Sequence, residues 1–312
     1  MADSSEQYKF EIGMESTYGD GGSSFTAIPN ANTGFPVPGI KTFQNPSYNG
    51  SLGRSTEYNT LATWSVPINV YLKGSGTAGN PPELTKLLRI MGLQHFPSPG
   101  VSDSYRVRDT GHESAGIKVN LAGKQYLLTG ARMLDAKITL QGGDRATLTG
   151  NVVGLNGGVS EVAYSAPSFA DSAIGPAVVT NMALTINGNT HVIKDMTIDL
   201  SMTQDEIPSI NANNTTGIEE IAIGPRLYAV EFMARVDSSN NLEFWTALSA
   251  SSEWAVASTG FGSAGNLIDF DFSKMQITKI AIDKFANQLW YKVTANINYH
   301  ATAANEFQMA FK

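Results

Sequence analysis

In segment after segment of this chain, apolar and polar residues alternate one for one, and this alternation limits the fold more than any other feature. Met196, Ile198 and Leu200 share one face of a segment whose other face carries Asp195, Thr197 and Asp199. Leu134, Ala136, Ile138 and Leu140 oppose Asp135, Lys137 and Thr139 in the same way, and Ile268, Phe270 and Phe272 oppose Asp269 and Asp271. Successive side chains of a strand point to opposite faces, so a period of two marks a half-buried strand. Residues 66–72, 227–236 and 288–299 are further strand candidates, rich in β-branched and aromatic residues. Thirty glycines and thirteen prolines supply turns between them. Two segments read as helices. In 82–91, Pro82 fits a first helical turn, Leu84, Leu87, Leu88 and Met91 form one face, and Gly92 is a stop. In 240–249, Leu242, Trp245 and Leu248 recur at helical spacing behind Asn240 as cap. The expected class is mostly β, with one short α-helix in each half.

The order of elements repeats. In the first half Lys41-Thr-Phe43 leads into a polar loop at 44–59, then a strand near 64–72, a Gly/Pro turn, the 82–91 helix and a hairpin at 131–155. In the second half Thr197-Ile-Asp-Leu200 leads into a polar loop at 201–217, then a strand at 226–236, a turn, the 240–249 helix and a hairpin at 274–299. The hairpins align locally, Met133-Leu-Asp-Ala-Lys-Ile-Thr-Leu140 against Met275-Gln-Ile-Thr-Lys-Ile-Ala-Ile282, and identity elsewhere is low. The reading is a duplicated unit, 1–160 and 161–312, with the boundary in the Gly/Ser/Ala/Pro stretch between Gly154 and Pro176.

Composition narrows the function. The 312 residues are 16% charged and 42% hydrophobic, which excludes a disordered chain, and the net charge of −7 excludes a wholly basic nucleic-acid binder. With no cysteine, thiolate metal sites, iron–sulfur clusters and cysteine nucleophiles are excluded. The first residues show no basic and apolar signal pattern, and no run approaches the ~18 apolar residues of a membrane helix, so the expectation is a soluble product made in a cytoplasm. His95, His112, His191 and His300 form no metal or triad pattern. His191 and Asp195 would stand about 13 Å apart on a strand, and His191 reads as a surface histidine. Gly74–Gly79 lacks a following Gly-Lys-Ser/Thr and reads as a linker. Asp269 and Asp271 would share a sheet face that could hold a hard cation, but no third oxygen ligand is in view. The expectation is a protein without catalytic activity, cofactor or metal. Trp64, Trp245, Trp254 and Trp290 read as core residues, with subunit anchoring as the alternative.

Several motifs, in order, resemble one family. Ile12-Gly-Met-Glu-Ser-Thr-Tyr-Gly-Asp20 resembles the E-x-T-Y-G start of virion proteins of tailed bacteriophages. Gly50-Ser-Leu-Gly-Arg54, the Asn80-Pro-Pro-Glu-Leu84 helix ending at Met91-Gly92, Thr216-Gly-Ile218, Gly224-Pro-Arg226, Phe244-Trp245 and Gly265-Asn-Leu-Ile268 follow. Together they resemble the major tail tube protein of long, non-contractile-tailed bacteriophages, in its duplicated-unit variant. The resemblance implies two tandem β-sandwich or half-barrel units and a structural virion protein that polymerises into stacked rings. It implies homotrimeric rings of pseudo-sixfold symmetry, with hexameric rings of one-unit relatives as the alternative. It further implies the tape-measure protein, the tail terminator and tail-tip proteins as partners, and no membrane partner. Double-stranded DNA would pass through the lumen without specific binding, and the protein would reside in the phage tail after assembly in the host cytoplasm.

On that reading the long polar loops make contacts between subunits and rings, and Asn49, Gly50, Arg54, Glu57, Gln204, Asp205, Glu206, Asn213 and Arg226 are the candidates. Asp135, Asp195, Asp199, Asp269, Asp271 and Asp283 punctuate apolar strands and are candidates for the lumen face or the outer sheet face, which the sequence does not separate; DNA carries one negative charge per about 1.7 Å, and an acidic lumen would repel it evenly. The alternative function is an extracellular β-sandwich adhesin or pilus-like subunit, which would need an export signal. A glycan-processing β enzyme would need clustered carboxylates beside aromatic platforms.

Overall fold

A computed structural model describes residues 8–29, 34–44, 57–170, 173–180, 182–212, 216–237, 242–301 and 306–312. In chain order the first half contains β1 (Tyr8–Met14), β2 (Thr26–Ala27), β3 (Val37–Gln44), β4 (Glu57–Tyr71), α1 (Thr85–Ile90), β5 (Leu93–Ser98), β6 (Ser102–Val107), β7 (Ala115–Leu121), β8 (Lys124–Met133), β9 (Asp135–Gln141) and β10 (Thr147–Glu161). The second half contains β11 (Leu184–Ile186), β12 (Asn189–Thr190), β13 (Ile193–Pro208), β14 (Ile218–Arg226), β15 (Ala229–Arg235), α2 (Glu243–Ala250), β16 (Glu253–Ser258), β17 (Ile268–Phe285), β18 (Gln288–Ile297) and β19 (Gln308–Phe311). The protein is mostly β, one large sheet with two short helices among the described residues.

A ribbon of seven strands, β4–β10–β9–β13–β15–β18–β17, crosses from one half to the other, and every ladder in it is antiparallel. The alternation read from the sequence sets its two faces. Ile138, Leu140, Met196, Ile198, Val230, Phe232 and Val293 are buried on one face. Their neighbours along each strand, such as Lys137, Thr197, Glu231 and Lys292, point to the other. The halves meet in the β9–β13 ladder, where Ile138 faces Ile198 and Leu140 faces Met196. They meet again where the C-terminal β19 pairs with β6, Met309 facing Tyr105. One hydrophobic cluster runs through both halves.

Both helices lie close to where the sequence places them. Gly92, at φ +80°, ends the first as expected, because only glycine takes that conformation without strain. The helix itself is shorter than 82–91, with a turn at its start and Leu87, Leu88 and Ile90 buried. Lys86 ties it to the N-terminal strands by donating to Thr26 Oγ1 at 2.8 Å and to the Ile12 carbonyl at 3.4 Å. In the second helix the expected face is not the buried one. Phe244 and Ala247 point into the core, while Leu242 is 74% and Trp245 38% exposed. The expected Asn240 cap lies outside the described residues, and Leu242 holds the N-cap position.

The expected polar loop at 201–217 is largely not a loop. β13 continues to Pro208 and pairs with β14 from Met202↔Arg226 to Pro208↔Ile218, forming a hairpin arm whose β14 strand buries Ile218 and Ile221. Residues 204–208 are exposed on successive positions, so no alternation marks them as strand, and the ladder rather than burial holds them extended. The matching loop at 44–59 shrinks from its far end, since Glu57–Asn59 belong to β4, and 45–56 lie outside the described residues. The Gly154–Pro176 stretch is partly strand, because β10 runs on to Glu161. Beyond it Ala177 docks on the first half, donating to the Leu72 carbonyl at 2.9 Å and accepting from Ala146 N–H at 3.1 Å.

Candidate functional site

The polar face of the ribbon gathers four of the six candidate acids. Asp195 stands 3.0 Å from Lys194, and Asp199 stands 3.1 Å from Lys137 across the β9–β13 joint. Asp199 also accepts from the Ser201 amide at 3.0 Å. Asp135 is a clamp on the neighbouring strand, accepting from Asn151 N–H at 2.6 Å and Asn151 Nδ2 at 2.7 Å. Asp283 is exposed near the tip of the β17–β18 hairpin, opposite Trp290. Asp269 and Asp271 are not part of this group. They lie at the other end of β17, where it pairs with β16 and β19, and Asp269 is ion-paired with Lys312.

The face is not the acidic surface expected from the sequence. Its acids are Asp135, Asp195, Asp199, Glu231 and Asp283, and its bases are Lys137, Lys194, Arg235, Lys279 and Lys292, so five charges of each sign cancel. Besides the two aspartate pairs, Lys292 stands 2.5 Å from Glu231, and the Lys194 ammonium lies 4.4 Å above the Phe285 ring. The lysines fall at alternate positions with the acids, which is why counting aspartates between apolar residues overstated the negative charge.

Of the loop candidates, Asn49, Gly50, Arg54 and Asn213 lie outside the described residues. Gln204, Asp205 and Glu206 are exposed on the β13–β14 arm, and Glu57 opens β4 opposite Gln44. Lys41 reaches Glu206 at 2.8 Å, so the β3–β4 arm lies against the β13–β14 arm. Both arms expose apolar side chains, with Val37, Ile40, Phe43 and Tyr58 on one and Ile207 and Ile210 on the other. Arg226 is not free for a neighbouring subunit. It donates to Asp109 at 2.8 Å and to Glu306 at 2.9 Å within its own chain.

The Glu15–Asp20 motif is a knot that joins the halves, a role its spelling does not reveal. Glu15 accepts from the amides of Gly19 at 3.0 Å, Gly21 at 3.1 Å and Gly130 at 2.8 Å, and from Ser114 Oγ at 2.6 Å. Asp20 accepts from Ser16 Oγ at 2.6 Å and from the Gly22, Ser16 and Thr17 amides, and these bonds hold its carboxyl down at about 2. Tyr18 accepts from the Ile221 amide of β14 at 2.8 Å, and burial pushes its hydroxyl up to about 12. The guanidinium of Arg132 lies 4.9 Å from the Tyr18 ring and donates to Glu220 at 2.9 Å and to the Ile221 carbonyl.

Three histidines have specific settings. His95 pairs with Asp103, which is fully buried and also accepts from Tyr105 at 2.5 Å; Tyr105 in turn shares a 2.7 Å hydrogen bond with Thr85. Both Asp103 oxygens are thereby satisfied, and the network fastens α1 to β5 and β6. His191 is not the expected surface residue: it is 7% exposed, with its ring 5.0 Å from that of Phe244. His112 is held neutral below its ordinary range, by burial first and then by Arg108, Arg132 and Arg226. Among the described residues no group of three or more histidines and carboxylates is placed to hold a metal, and no helix is long and apolar enough to cross a membrane. No protein-family model matches the chain, and no curated protein matches it in sequence.

Proposed function

We propose that the protein is a structural subunit of a bacteriophage tail tube, built from two tandem units, whose polar ribbon face lines a channel for double-stranded DNA. The observation that carries this reading is the continuous polar face across both halves, with five charges of each sign, six of them in ion pairs, and its apolar side turned into the core. A channel for a polyanion must not hold it. A net basic wall would bind DNA by releasing its counterions. Opposite charges about 3 Å apart cancel within a distance far shorter than the ~8 Å Debye length of physiological salt, so the DNA meets little net field. The wall is therefore passive toward its cargo rather than repulsive.

The exposed apolar residues of the two arms support assembly, since monomeric proteins rarely leave such residues clustered. The exposed residues of these arms suit axial contacts between stacked rings, and the tape-measure, terminator and tip proteins are the partners this role requires.

The test uses purified protein assembled in vitro and mixed with double-stranded DNA at low and high salt. Hollow tubes that do not retain DNA are expected. Asp195→Asn combined with Asp199→Asn leaves the face with a net charge of about +2, and its tubes are expected to retain DNA at low salt and release it at high salt. Protein that stays as separate globules, or wild-type tubes coated with DNA, would overturn the proposal.

A further inference from the structure

The chain contains three Asn-Gly steps, at Asn49, Asn156 and Asn187. At such a step the glycine backbone nitrogen can attack the side-chain carbon Cγ of the asparagine, because glycine has no Cβ to hinder the approach. The nitrogen gives its proton to water, the C–N bond of the side-chain amide breaks, and ammonia leaves. The cyclic imide that forms is opened by water at either carbonyl, giving aspartate or isoaspartate. Water is the sole co-reactant. Asn49 lies outside the described residues, so the structure compares the other two.

Asn156 is held in place. It pairs with Leu128 within the β8–β10 ladder, and its Oδ1 accepts from Trp64 Nε1 at 3.0 Å and from the Gly158 amide at 3.0 Å. Asn187 is not held in this way. With Gly188 it forms the exposed turn that joins β11 to β12, at φ +53° and +78°, the positive values that a two-residue hairpin turn requires. Among the described residues neither its side chain nor the Gly188 amide makes a hydrogen bond.

The turn as it stands does not aim the Gly188 nitrogen at Cγ, so it must open before the attack. Little resists the opening. The β11–β12 ladder has two pairs, Thr185↔Thr190 and Ile186↔Asn189, and no other strand among the described residues pairs with β12. Asn189 Nδ2 adds a tie to Glu243 at 2.9 Å. The Asn187 amide donates to the Ala255 carbonyl at 2.8 Å, and β11 itself pairs with β16, so β11 stays in place while the turn swings. Short exposed elements of this kind open most readily.

We propose that Asn187 is a site of spontaneous deamidation in the folded protein, while the fold protects Asn156. The product carries a new negative charge near Glu243. Isoaspartate also lengthens the backbone of the turn by one carbon, which breaks the Ile186↔Asn189 pairing and the Asn189–Glu243 hydrogen bond. The inference does not depend on the tube reading.

The test incubates the purified protein at mildly alkaline pH, folded and in urea, and maps its peptides by mass spectrometry over time. In the folded protein Asn187 is expected to convert at least about tenfold faster than Asn156, whose Oδ1 must first leave two hydrogen bonds. In urea, where only the local sequences Ile-Asn-Gly and Leu-Asn-Gly differ, the two sites are expected to convert at similar rates. Equal rates at both sites in the folded protein would overturn the proposal. So would an Asn187 that converts in urea and not in the folded chain, since the turn would then be a protection rather than an opening.

Discussion

Glu15 satisfies three backbone amides and one hydroxyl with a single carboxylate, closing a loop over Gly130. Glu15→Ala leaves the buried Gly130 amide without a partner, and a loss of about 2 kcal/mol in denaturant unfolding is expected, since an unmet buried donor costs about 1–3 kcal/mol. His112 gives the residue-scale pH dependence. Its folded pKa lies below its unfolded value, burial being the larger cause and Arg108 the next. As pH falls through the unfolded value, the unfolded chain takes up a proton that the folded chain refuses. Stability therefore declines from about pH 6.5 downward until the folded pKa is passed. His112→Gln is expected to flatten that part of the stability profile measured by urea titration at stepped pH; an unchanged slope would show that His112 titrates normally. Neither setting was legible in the sequence, because His112 meets Arg132 and Arg226 only through folding, and the donors to Glu15 include the amide of a residue more than a hundred positions away.

At the scale of elements, alternation located the strands of the ribbon well, because each has one buried and one wet face. It failed on the distal part of β13, where residues 204–208 are exposed on both faces and the ladder with β14 specifies an extended chain. It also could not choose the face of α2. Leu242, Trp245 and Leu248 make one apolar stripe at helical spacing, and Phe244, Ala247 and Leu248 make another. The choice falls to the surroundings: Phe244 meets Phe232, Trp254, Tyr291 and His191. Phe244→Ala is expected to cost about 3–5 kcal/mol, and Leu242→Ala no more than about 0.5 kcal/mol, read from thermal or urea unfolding of the two variants side by side. Equal costs would contradict the placement of the helix. The lumen candidates divide for a similar reason. Asp195 and Asp269 look alike between apolar neighbours, but β17 changes partners along its length, and only its distal part belongs to the ribbon.

For the whole molecule, the two halves share ladders at β9–β13 and β6–β19 and share one core, so neither is a free bead on a linker. If each half supplies one unit of a ring, three chains provide six units, and three covalent links replace three of the six joints that single-unit chains must form, reducing the freedom lost on assembly. The order of elements carried that idea in the sequence. The charge balance of the polar ribbon face did not show there, since it depends on which lysine lies across from which aspartate. Cryo-electron microscopy of the purified, assembled protein tests the central claim most directly. Hollow tubes are predicted, with three chains per ring, pseudo-sixfold symmetry and Lys137, Asp199, Glu231 and Lys292 facing the channel. Six chains per ring, a channel lined by other residues, or separate globules at every concentration would contradict it.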